Sequence, residues 1–383
     1  MTIYLDNSAT SFPKAPGVAA AMTDYLENVG CNINRGGYAK AYGAAYTVLE
    51  TRERIAGLFH FAKPQNVIFT ANVTASLNYL IKGLLAEGGR LLVSQMEHNA
   101  VMRPLRQMVR ERGAAYTQIP CDRQGLIDLA AIPRLITGDV KGILVTHASN
   151  VSGSIVPIGE VGEICRRHGL PFIVDTAQTA GALDIDMEAM HIDALAFTGH
   201  KGLLGPQGIG GFVISDDLAQ RLPPLLSGGT GSFSDSEDYP QILPDKFEPG
   251  TMNLPGIYGL NAALKYIEQE GTAHIRQQEM ALWQRFYDGC RRLPQTRIIG
   301  TGQAERSTAV LSLDFLNHDN AEISFLLDQE HQIMTRCGIH CAPSAHKCFD
   351  TFPQGTVRFS FNHFNTAEEI DAALAALRDI LSR

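Results

Sequence analysis

Long hydrophobic runs are missing from this sequence. No uninterrupted apolar stretch approaches the roughly 20 residues that a helix needs to span a bilayer. The longest runs, 142–148 and 171–176, have only the length of single strands. We therefore expect no membrane-spanning segment. The sequence also lacks internal repeats and low-complexity segments, which argues against a repeat solenoid and against disorder.

Positive charge is in short supply. The 32 Lys and Arg residues face 40 Asp and Glu residues, which gives a net charge of −8 at pH 7. We therefore expect no general affinity for nucleic-acid phosphates or for an anionic membrane surface. Small-molecule chemistry is the class of function that this composition favours.

Cysteine is scarce and odd in number. The seven cysteines are dispersed along the chain, at Cys31, Cys121, Cys165, Cys290, Cys337, Cys341 and Cys348. The sequence begins with MTIYLDNSAT, which has neither the basic n-region nor the apolar h-region of a signal peptide. We expect free thiols in a reducing, cytoplasmic setting rather than a disulfide framework.

The sequence has the pattern of an α/β protein with two structural units. Its 383 residues exceed what one hydrophobic core usually organises. Short apolar runs alternate with helical patterns, which is typical of crossover connections and a mainly parallel sheet covered on both faces. The predicted strands are 67–71, 90–94, 142–146, 172–175, 194–198 and 210–215. The predicted helices between them include 74–86, 101–112, 126–135 and 159–168.

The pattern changes in the last third of the chain. Segment 227–255 is rich in Gly, Ser, Asp and Pro and is predicted to be a loop. A long helical pattern then runs from Gly256 past Trp283. A small α+β domain is predicted after it, with strands 309–315, 332–335 and 356–360 and helices 321–329 and 366–382, the last capped by Asn365 or Thr366. The predicted units are 1–16 joining the small domain, 17–255 forming a large domain, and 256–383 forming the linking helix and small domain.

A lysine follows the predicted strand 194–198 in a glycine-rich turn. Lys201 in a sheltered cleft can lose its proton and form a Schiff base. Strand 172–175 ends in Asp175, and neighbouring parallel strands would bring Asp175 and Lys201 to the same edge of the sheet. The plain alternative is a solvated loop lysine.

Pyridoxal 5'-phosphate (PLP) requires an amine, an acid for its ring nitrogen and a phosphate cradle. Segment 70–78 runs from a strand into a helix, whose free amides and dipole favour an anion. An ordinary N-cap by Thr74 is the alternative there. His98 could stack on a flat ring, although a lone histidine can also be structural.

Together these motifs look like the class V aminotransferase superfamily and, within it, the cysteine desulfurases. The resemblance runs from Tyr4 to Arg358, and its motifs are Asp175-x-x-Gln178, Thr198-x-His200-Lys201, Glu97-His98-Asn99 and Arg336-Cys-Gly-Ile-His340-Cys341-Ala-Pro343. It implies PLP fold type I with a mainly parallel seven-stranded sheet and a small C-terminal domain. It further implies a homodimer with shared active sites that converts L-cysteine to L-alanine.

The resemblance also implies roles for individual residues. Lys201 would form the Schiff base, Asp175 would pair with the pyridine nitrogen, and Gln178 would contact the phenolic oxygen. His98 would stack on the ring and assist proton transfer. The phosphate would be held by Val73, Thr74, Thr198 and His200, and by Thr251 from the partner subunit. The substrate carboxylate would be bound by Asn150, Arg336 and Arg358, and the mouth of the site would be lined by Asn34 and Arg35.

The desulfurase function that the resemblance implies depends on Cys341. In desulfurases a thiolate attacks the sulfur of the substrate and leaves as a persulfide, so this cysteine must be accessible and ionisable. His340 and Arg336 are expected to favour the thiolate electrostatically. A small buried core cysteine is the plain alternative. The short Arg-x-Gly-x-His-Cys-Ala arrangement is similar to the group II desulfurases.

Some features depart from the family pattern or leave alternatives open. Val73 stands where group II enzymes often carry Thr, and Ala75 lacks the acidic side chain often found there. Cys337 and Cys348 flank Cys341 in sequence, and the sequence leaves three interpretations of these cysteines open. The first is a zinc site with His340, His346 or His363, whose spacing does not match structural zinc sites, so that no metal is expected. The others are a disulfide and a persulfide relay from Cys341 to Cys348.

Three alternative functions share the same motifs. A selenocysteine lyase would act on L-selenocysteine and depend less on Cys341. Another class V aminotransferase or C–S lyase would not need Cys341 at all. A non-catalytic protein could retain the fold, although an intact Lys201 and Asp175 argue against it. The sequence does not identify a sulfur-acceptor protein.

Overall fold

A seven-stranded sheet forms the centre of the computed structural model, which describes residues 2–33, 36–232 and 235–383. In chain order the strands are β1 Ile3–Tyr4, β2 Val67–Thr70, β3 Arg90–Ser94, β4 Ala115–Ile119, β5 Val140–Thr146, β6 Phe172–Asp175, β7 Ala194–Thr198, β8 Gly210–Ile214, β9 Thr296–Ile299, β10 Val310–Phe315, β11 Ile333–Met334, β12 Arg336–Gly338 and β13 Thr356–Ser360. The helices are α1 Val18–Asp24, α2 Ala39–Leu58, α3 Val73–Leu84, α4 Asn99–Arg112, α5 Ile132–Leu135, α6 Ile158–His168, α7 Asp216–Arg221, α8 Leu254–Glu270, α9 Thr272–Cys290, α10 Asn320–His331, α11 Pro343–Cys348 and α12 Ala367–Leu381.

The large sheet has the strand order β2-β8-β7-β6-β5-β3-β4. Strand β8 runs antiparallel to both of its neighbours, and the other pairs are parallel. Every residue of β6, β7 and β8 is buried. Strands covered on both faces need continuous apolar runs, which is why the sequence shows no alternation there. The predicted fold class, α/β with a mainly parallel seven-stranded sheet, is confirmed.

Several predicted elements differ from the observed ones. Strand β4 is an additional edge strand, and four of its five residues are only partly buried. The predicted helix 126–135 is reduced to a 3₁₀ turn, Leu129–Ala131, and to α5, because Asp128 caps a new start and accepts a hydrogen bond from the amide of Ala131. The long helix expected from Gly256 is two helices, α8 and α9, which are separated by Gly271 with a φ of +80°.

A second sheet, of strand order β12-β13-β10-β9, is antiparallel throughout and packs against α9, α10 and α12. Strand β1 pairs in parallel with β11, so that Leu5 lies in the same core as Trp283 and Phe359. These contacts join the N-terminal residues to the small sheet, whereas α8 packs in the core of the large sheet with α1 and α2. The division into units 1–16, 17–255 and 256–383 stays a prediction. Thr366 caps α12 through a capping box with Glu369.

None of the helices within residues 2–33, 36–232 and 235–383 combines the length and the apolarity that a bilayer span requires.

The packing of α6 generates a stability prediction. A Cβ at Gly162 would overlap the backbone carbonyl oxygen of Met190, whereas a Cβ at Gly159 would only touch the Met190 side chain at 3.8 Å. Because backbone cannot move aside cheaply, we expect Gly162→Ala to lower the free energy of unfolding by about 1–3 kcal/mol. Gly159→Ala, the matched control on the same helix, should change it by less than about 1 kcal/mol. Urea unfolding measures both, and equal effects would contradict this packing.

Candidate active site

Lys201 and Asp175 lie at the same edge of the large sheet, as their positions after neighbouring strands require. Asp175 ends β6 and pairs in register with Ala196 of β7, three residues before the turn that holds His200 and Lys201. Asp175 is 3% exposed, and its Oδ1 accepts a hydrogen bond of 3.0 Å from the amide of Ala177. Burial raises the pKa of the Asp175 carboxyl above its ordinary value.

Lys201 is poised to lose its proton. Burial lowers the pKa of its amine to about 8, although the carboxylate of Asp175 opposes this shift. The guanidinium groups of Arg358 and Arg336 lower it further. A minor fraction of the amine, roughly a tenth at pH 7, is therefore neutral, and a neutral amine is the form that attacks an aldehyde.

The start of α3 forms an anion cradle beside Lys201. Asn72, not Thr74, is the N-cap, because its side chain accepts from the amide of Ala75 at 3.0 Å. The amides of Val73 and Thr74 lie in the first turn, where helix amides lack intrahelical partners. Gly210 of β8 lets this turn approach, since a Cβ there would lie 2.9 Å from the Cα of Asn72.

Two buried polar atoms next to this turn fit a phosphate. Thr198 pairs with Gly210 from the other side of β8. Thr198 Oγ1 and His200 Nδ1 are buried and have no hydrogen-bond partner among the described residues. Burial, together with the charge of Lys201, lowers the pKa of His200 to about 4, so its imidazole is neutral. Buried polar atoms need partners, and these donors match the phosphate of PLP.

His98 is the N-cap of α4, and the charge of Lys201 acts on its imidazole. Its Nδ1 accepts a hydrogen bond of 3.0 Å from the amide of Ala100, which places the proton of a neutral ring on Nε2. Burial lowers the pKa of His98 to about 4, and the charges of Lys201 and Arg336 add to this shift. Gln178 donates to the carbonyl of Ser8 at 3.3 Å and lines a cavity with Lys201.

Three of the expected carboxylate-binding residues come together. Arg336 and Arg358 lie directly opposite each other on β12 and β13. Arg358 is 1% exposed, binds Asp6 at 2.7 Å through Nη2 and donates to the carbonyl of Asn150 at 3.1 Å. The side chain of Asn150 donates to the carbonyl of His340 at 2.6 Å. Two adjacent guanidinium groups with one bound carboxylate leave a position for a second anion.

Thr251 does not join this cluster, and the predicted residues Asn34 and Arg35 lie outside the described residues. Thr251 is exposed and lines a surface pocket with Arg52 and Glu248, which does not include Lys201. Its contact with the phosphate of a partner subunit stays a prediction.

Cys341 lies at the rim of the cluster on a strained backbone. It is half-buried, and both His340 and Cys341 have a positive φ, at 46° and 59°. Such conformations are uncommon outside glycine and collect at functional sites. The carbonyl of Cys341 accepts from the amide of Asn99 at 2.7 Å, and Nη2 of Arg336 lies 3.8 Å from its sulfur.

The expected electrostatic role of His340 is wrong. Its side chain is buried, and burial lowers the pKa of the imidazole to about 2, so the ring carries no positive charge. Its Nε2 lies 3.1 Å from Thr356 Oγ1 instead. Arg336 is therefore the cation that faces the Cys341 sulfur.

The other cysteines form no second centre with Cys341. All seven are free. Cys348 ends α11 and its thiol donates to the carbonyl of Asp122 at 3.1 Å, which gives no support to a disulfide or relay with Cys341. Among the described residues, the one cluster able to ligate a metal is Glu330, His331 and Asp379, which contains no cysteine. The arrangement of the described residues therefore gives no support to the zinc interpretation.

Comparison with known proteins identifies the family. Residues 3–373 match the family model described as aminotransferase class-V. The chain belongs to this family.

Curated relatives and solved structures agree with this membership. A "probable cysteine desulfurase" of Methanothermobacter thermautotrophicus is 32% identical over 99% of this chain and 94% of its own length. A "probable cysteine desulfurase" of Pyrococcus abyssi is 33% identical with the same coverage. The apo structure of cysteine desulfurase from Thermococcus onnurineus superimposes with a TM-score of 0.93 at 32% identity, covering 100% of this chain and 95% of that chain. The fold is therefore that of the PLP-dependent fold type I desulfurases.

Sequence reasoning assigned no role to two residues that support this class V aminotransferase site. Asp6 holds Arg358, and the two are 352 residues apart in sequence. Glu97 is fully buried behind His98, where its Oε1 accepts from Ser94 Oγ at 2.6 Å and from the amide of Thr146 at 2.9 Å. Burial raises the pKa of Glu97 to about 8. An acid directly before His98 was the available signal for Glu97.

Lys201 predicts how the uptake of PLP depends on pH. Only the neutral amine attacks the aldehyde of the cofactor, and burial lowers the pKa of Lys201 from 10.5 to about 8. We expect covalent uptake by the cofactor-free protein to accelerate as pH rises and to reach half of its maximal rate near pH 8. Stopped-flow absorbance measures this rate. Lys201→Ala, the control, should bind cofactor without forming the covalent imine, and a midpoint near 10.5 would contradict the assigned environment.

Proposed function

We propose that this chain is a PLP-dependent cysteine desulfurase that converts L-cysteine to L-alanine and retains the sulfur as a persulfide on Cys341. The general activity is that of the curated relatives. The observation on which the assignment of Cys341 rests is the 3.8 Å contact between its sulfur and Arg336, whose charge also acts on Lys201. This contact joins the thiol to the cluster that fits the cofactor.

The residues of the cluster divide the tasks of holding PLP. When bound, PLP supplies an electron sink for the Cα of the substrate. Asp175 would keep a proton on the ring nitrogen, and Gln178 would contact the phenolic oxygen. His98 would stack on the ring and offer Nε2–H. The phosphate would be held by Val73, Thr74, Thr198 and His200, and by Thr251 from a partner subunit.

Lys201 and the arginines act on the amino acid. A neutral Lys201 takes the Cα proton and returns protons to the carbon skeleton. Arg336 and Arg358 bind the carboxylate, with Asn150 beside them. Arg358 is fixed by Asp6, and Arg336 has no carboxylate partner within the described ranges, so Arg336 is the group with free donors for the substrate.

The sulfur transfer takes place at Cys341. Its thiolate attacks the sulfur of the bound substrate, a sulfur–sulfur bond forms, and the Cβ–S bond breaks. The electron pair of that bond stays on the carbon skeleton, which takes up protons and leaves as alanine. The guanidinium of Arg336 stabilises the attacking thiolate.

Substitution of cysteine tests the assignment. We expect Cys341→Ser to reduce single-turnover formation of alanine from L-cysteine by at least about 100-fold, because the serine hydroxyl is a weak nucleophile at neutral pH. The visible absorbance of bound cofactor should persist. Cys337→Ser is the matched control, because Cys337 packs against the core of the small sheet.

Mass spectrometry of the wild-type protein after incubation with L-cysteine should show a gain of about one sulfur atom on the Cys341 peptide. Full activity of Cys341→Ser would overturn the assignment of the nucleophile. The same assay with L-selenocysteine separates a desulfurase from a selenocysteine lyase, and released pyruvate would indicate another C–S lyase.

The chain is also proposed to be a homodimer with shared active sites, located in a reducing cytoplasm. Helix α2 exposes Tyr42, Tyr46 and Leu49, and its N-cap Tyr38 is exposed as well, each between 46% and 66%. Exposed apolar patches of this kind favour a protein interface. The position of Thr251 away from Lys201 suits a residue that serves the partner, and seven free thiols suit a reducing compartment.

Disruption of this face tests the dimer. Tyr42 and Tyr46 are 65% and 66% exposed and lie one helical turn apart. We expect Tyr42→Glu with Tyr46→Glu to shift the protein to monomers in analytical ultracentrifugation, because charges at a buried interface lose their hydration. PLP binding should weaken as well, because the proposed active sites are shared between the subunits. The matched control, Leu316→Glu with Phe325→Glu, changes two exposed apolar residues of the C-terminal part and should leave the mass unchanged. An unaltered mass in the first variant would contradict this interface.

A further inference from the structure

An exposed row of arginines follows α4 from its second turn. We call Arg103, Arg106 and Arg110 the arginine row. All three are exposed, and spacings of three and four residues place them on one face of the helix. The opposite face is buried through Val101, Leu105 and other apolar residues. With a rise of about 1.5 Å per residue, the row is about 10 Å long.

The arginine row is not explained by contacts within the protein. Within residues 2–33, 36–232 and 235–383, none of its members forms an ion pair with a carboxylate. Other exposed arginines such as Arg285 and Arg383 do form such pairs. Like charges three and four residues apart also repel along a helix. Three unpaired cations in a row are unexpected in a chain with a net charge of −8.

The row leads away from Cys341. Helix α4 begins at Asn99, whose amide donates to the carbonyl of Cys341 at 2.7 Å. Arg103 follows one turn later and is close enough to lower the pKa of His98. Helix α4 packs beside β4, the edge strand opposite to β2, whereas α2 packs beside β2. The proposed dimer face on α2 therefore leaves the arginine row open.

We propose that the arginine row is the docking surface for an acidic protein whose cysteine receives the sulfur from Cys341. This inference rests on the proposed function. The thiolate of the acceptor attacks the outer sulfur of the Cys341 persulfide, a new sulfur–sulfur bond forms, and the bond to Cys341 breaks. Cys341 leaves as a thiolate, so that atoms and electrons balance without a further oxidant or reductant.

The chemistry of the transfer favours a protein as the occupant. The receiving group must be a thiol, which a protein supplies through cysteine and an unmodified nucleic acid lacks. Carboxylates complement the unpaired guanidinium groups and accept paired hydrogen bonds from them. Complementary charge next to the reacting atom raises the rate of encounter and orients the acceptor, and salt weakens both effects.

A pair of charge reversals tests the docking surface in the PLP-loaded protein. The test variant is Arg106→Glu with Arg110→Glu, which leaves Arg103, whose charge acts on His98, unchanged. The matched control is Arg134→Glu with Arg292→Glu, two exposed arginines elsewhere that make the same change in net charge. Acceptors are a synthetic peptide with one cysteine and six glutamates, its six-glutamine counterpart, and dithiothreitol.

We expect the test variant to transfer sulfur to the glutamate peptide about 10-fold more slowly than the wild type at low salt. The difference should vanish at high salt. Transfer to the glutamine peptide and to dithiothreitol should not change, and the control variant should resemble the wild type. Mass spectrometry of the peptide, which gains one sulfur atom, measures the rate.

Other outcomes would overturn the docking surface. The docking surface would be refuted if the wild type transferred sulfur to the glutamate and glutamine peptides at equal rates. It would also be refuted if the test and control variants lost the same fraction of the transfer rate to the glutamate peptide. If a single-stranded RNA binds the wild type but not the test variant, and the two peptides receive sulfur at equal rates, the arginine row is a nucleic-acid site instead. Absence of a persulfide on Cys341 would instead refute the proposed function, and fluorescence anisotropy of the labelled glutamate peptide would then still test the docking surface.

Discussion

The buried ion pair between Arg358 and Asp6 holds the site together. Arg358 is almost fully enclosed, and its guanidinium joins the N-terminal segment through Asp6 to the loop of the large sheet through the carbonyl of Asn150. Loss of Asp6 would leave a buried charge uncompensated, which typically costs about 3–5 kcal/mol. Because Arg336 pairs in register with Arg358, the position of Arg336 beside Cys341 depends on the same contact.

Burial sorts the ionisable groups of the cluster into neutral and charged ones. It lowers the pKa of His98 and His200 to about 4 and that of His340 to about 2, so all three imidazoles are neutral at pH 7. Positive charge is thus confined to the lysine and the two arginines, and Asp6 already balances one arginine. In the proposed reaction, Arg336 is therefore the cation that would serve both anions, the carboxylate of the substrate and the thiolate of Cys341.

The sequence predicts the inner strands well because strands buried on both faces need continuous apolar runs, and this need is local. It does not predict β4, whose half-exposed residues at the sheet edge include Thr117 and Gln118. The meeting of Asp175 and Lys201 follows from strand order alone. The neutrality of His340 does not, because its burial depends on contacts with Thr356 and other residues distant in sequence. The pair of Asp6 and Arg358 is hidden for the same reason.

The anchoring of Cys341 explains why an acceptor has to approach it. Its carbonyl is fixed by Asn99, the preceding carbonyl is fixed by Asn150, and both His340 and Cys341 occupy left-handed backbone conformations. A segment restrained in this way cannot swing the thiol far into solvent. In the proposed reaction, sulfur bound to Cys341 would therefore have to leave at the rim of the cleft. Helix α4 begins at that rim, and its unpaired arginines extend the positive field of the site onto the surface.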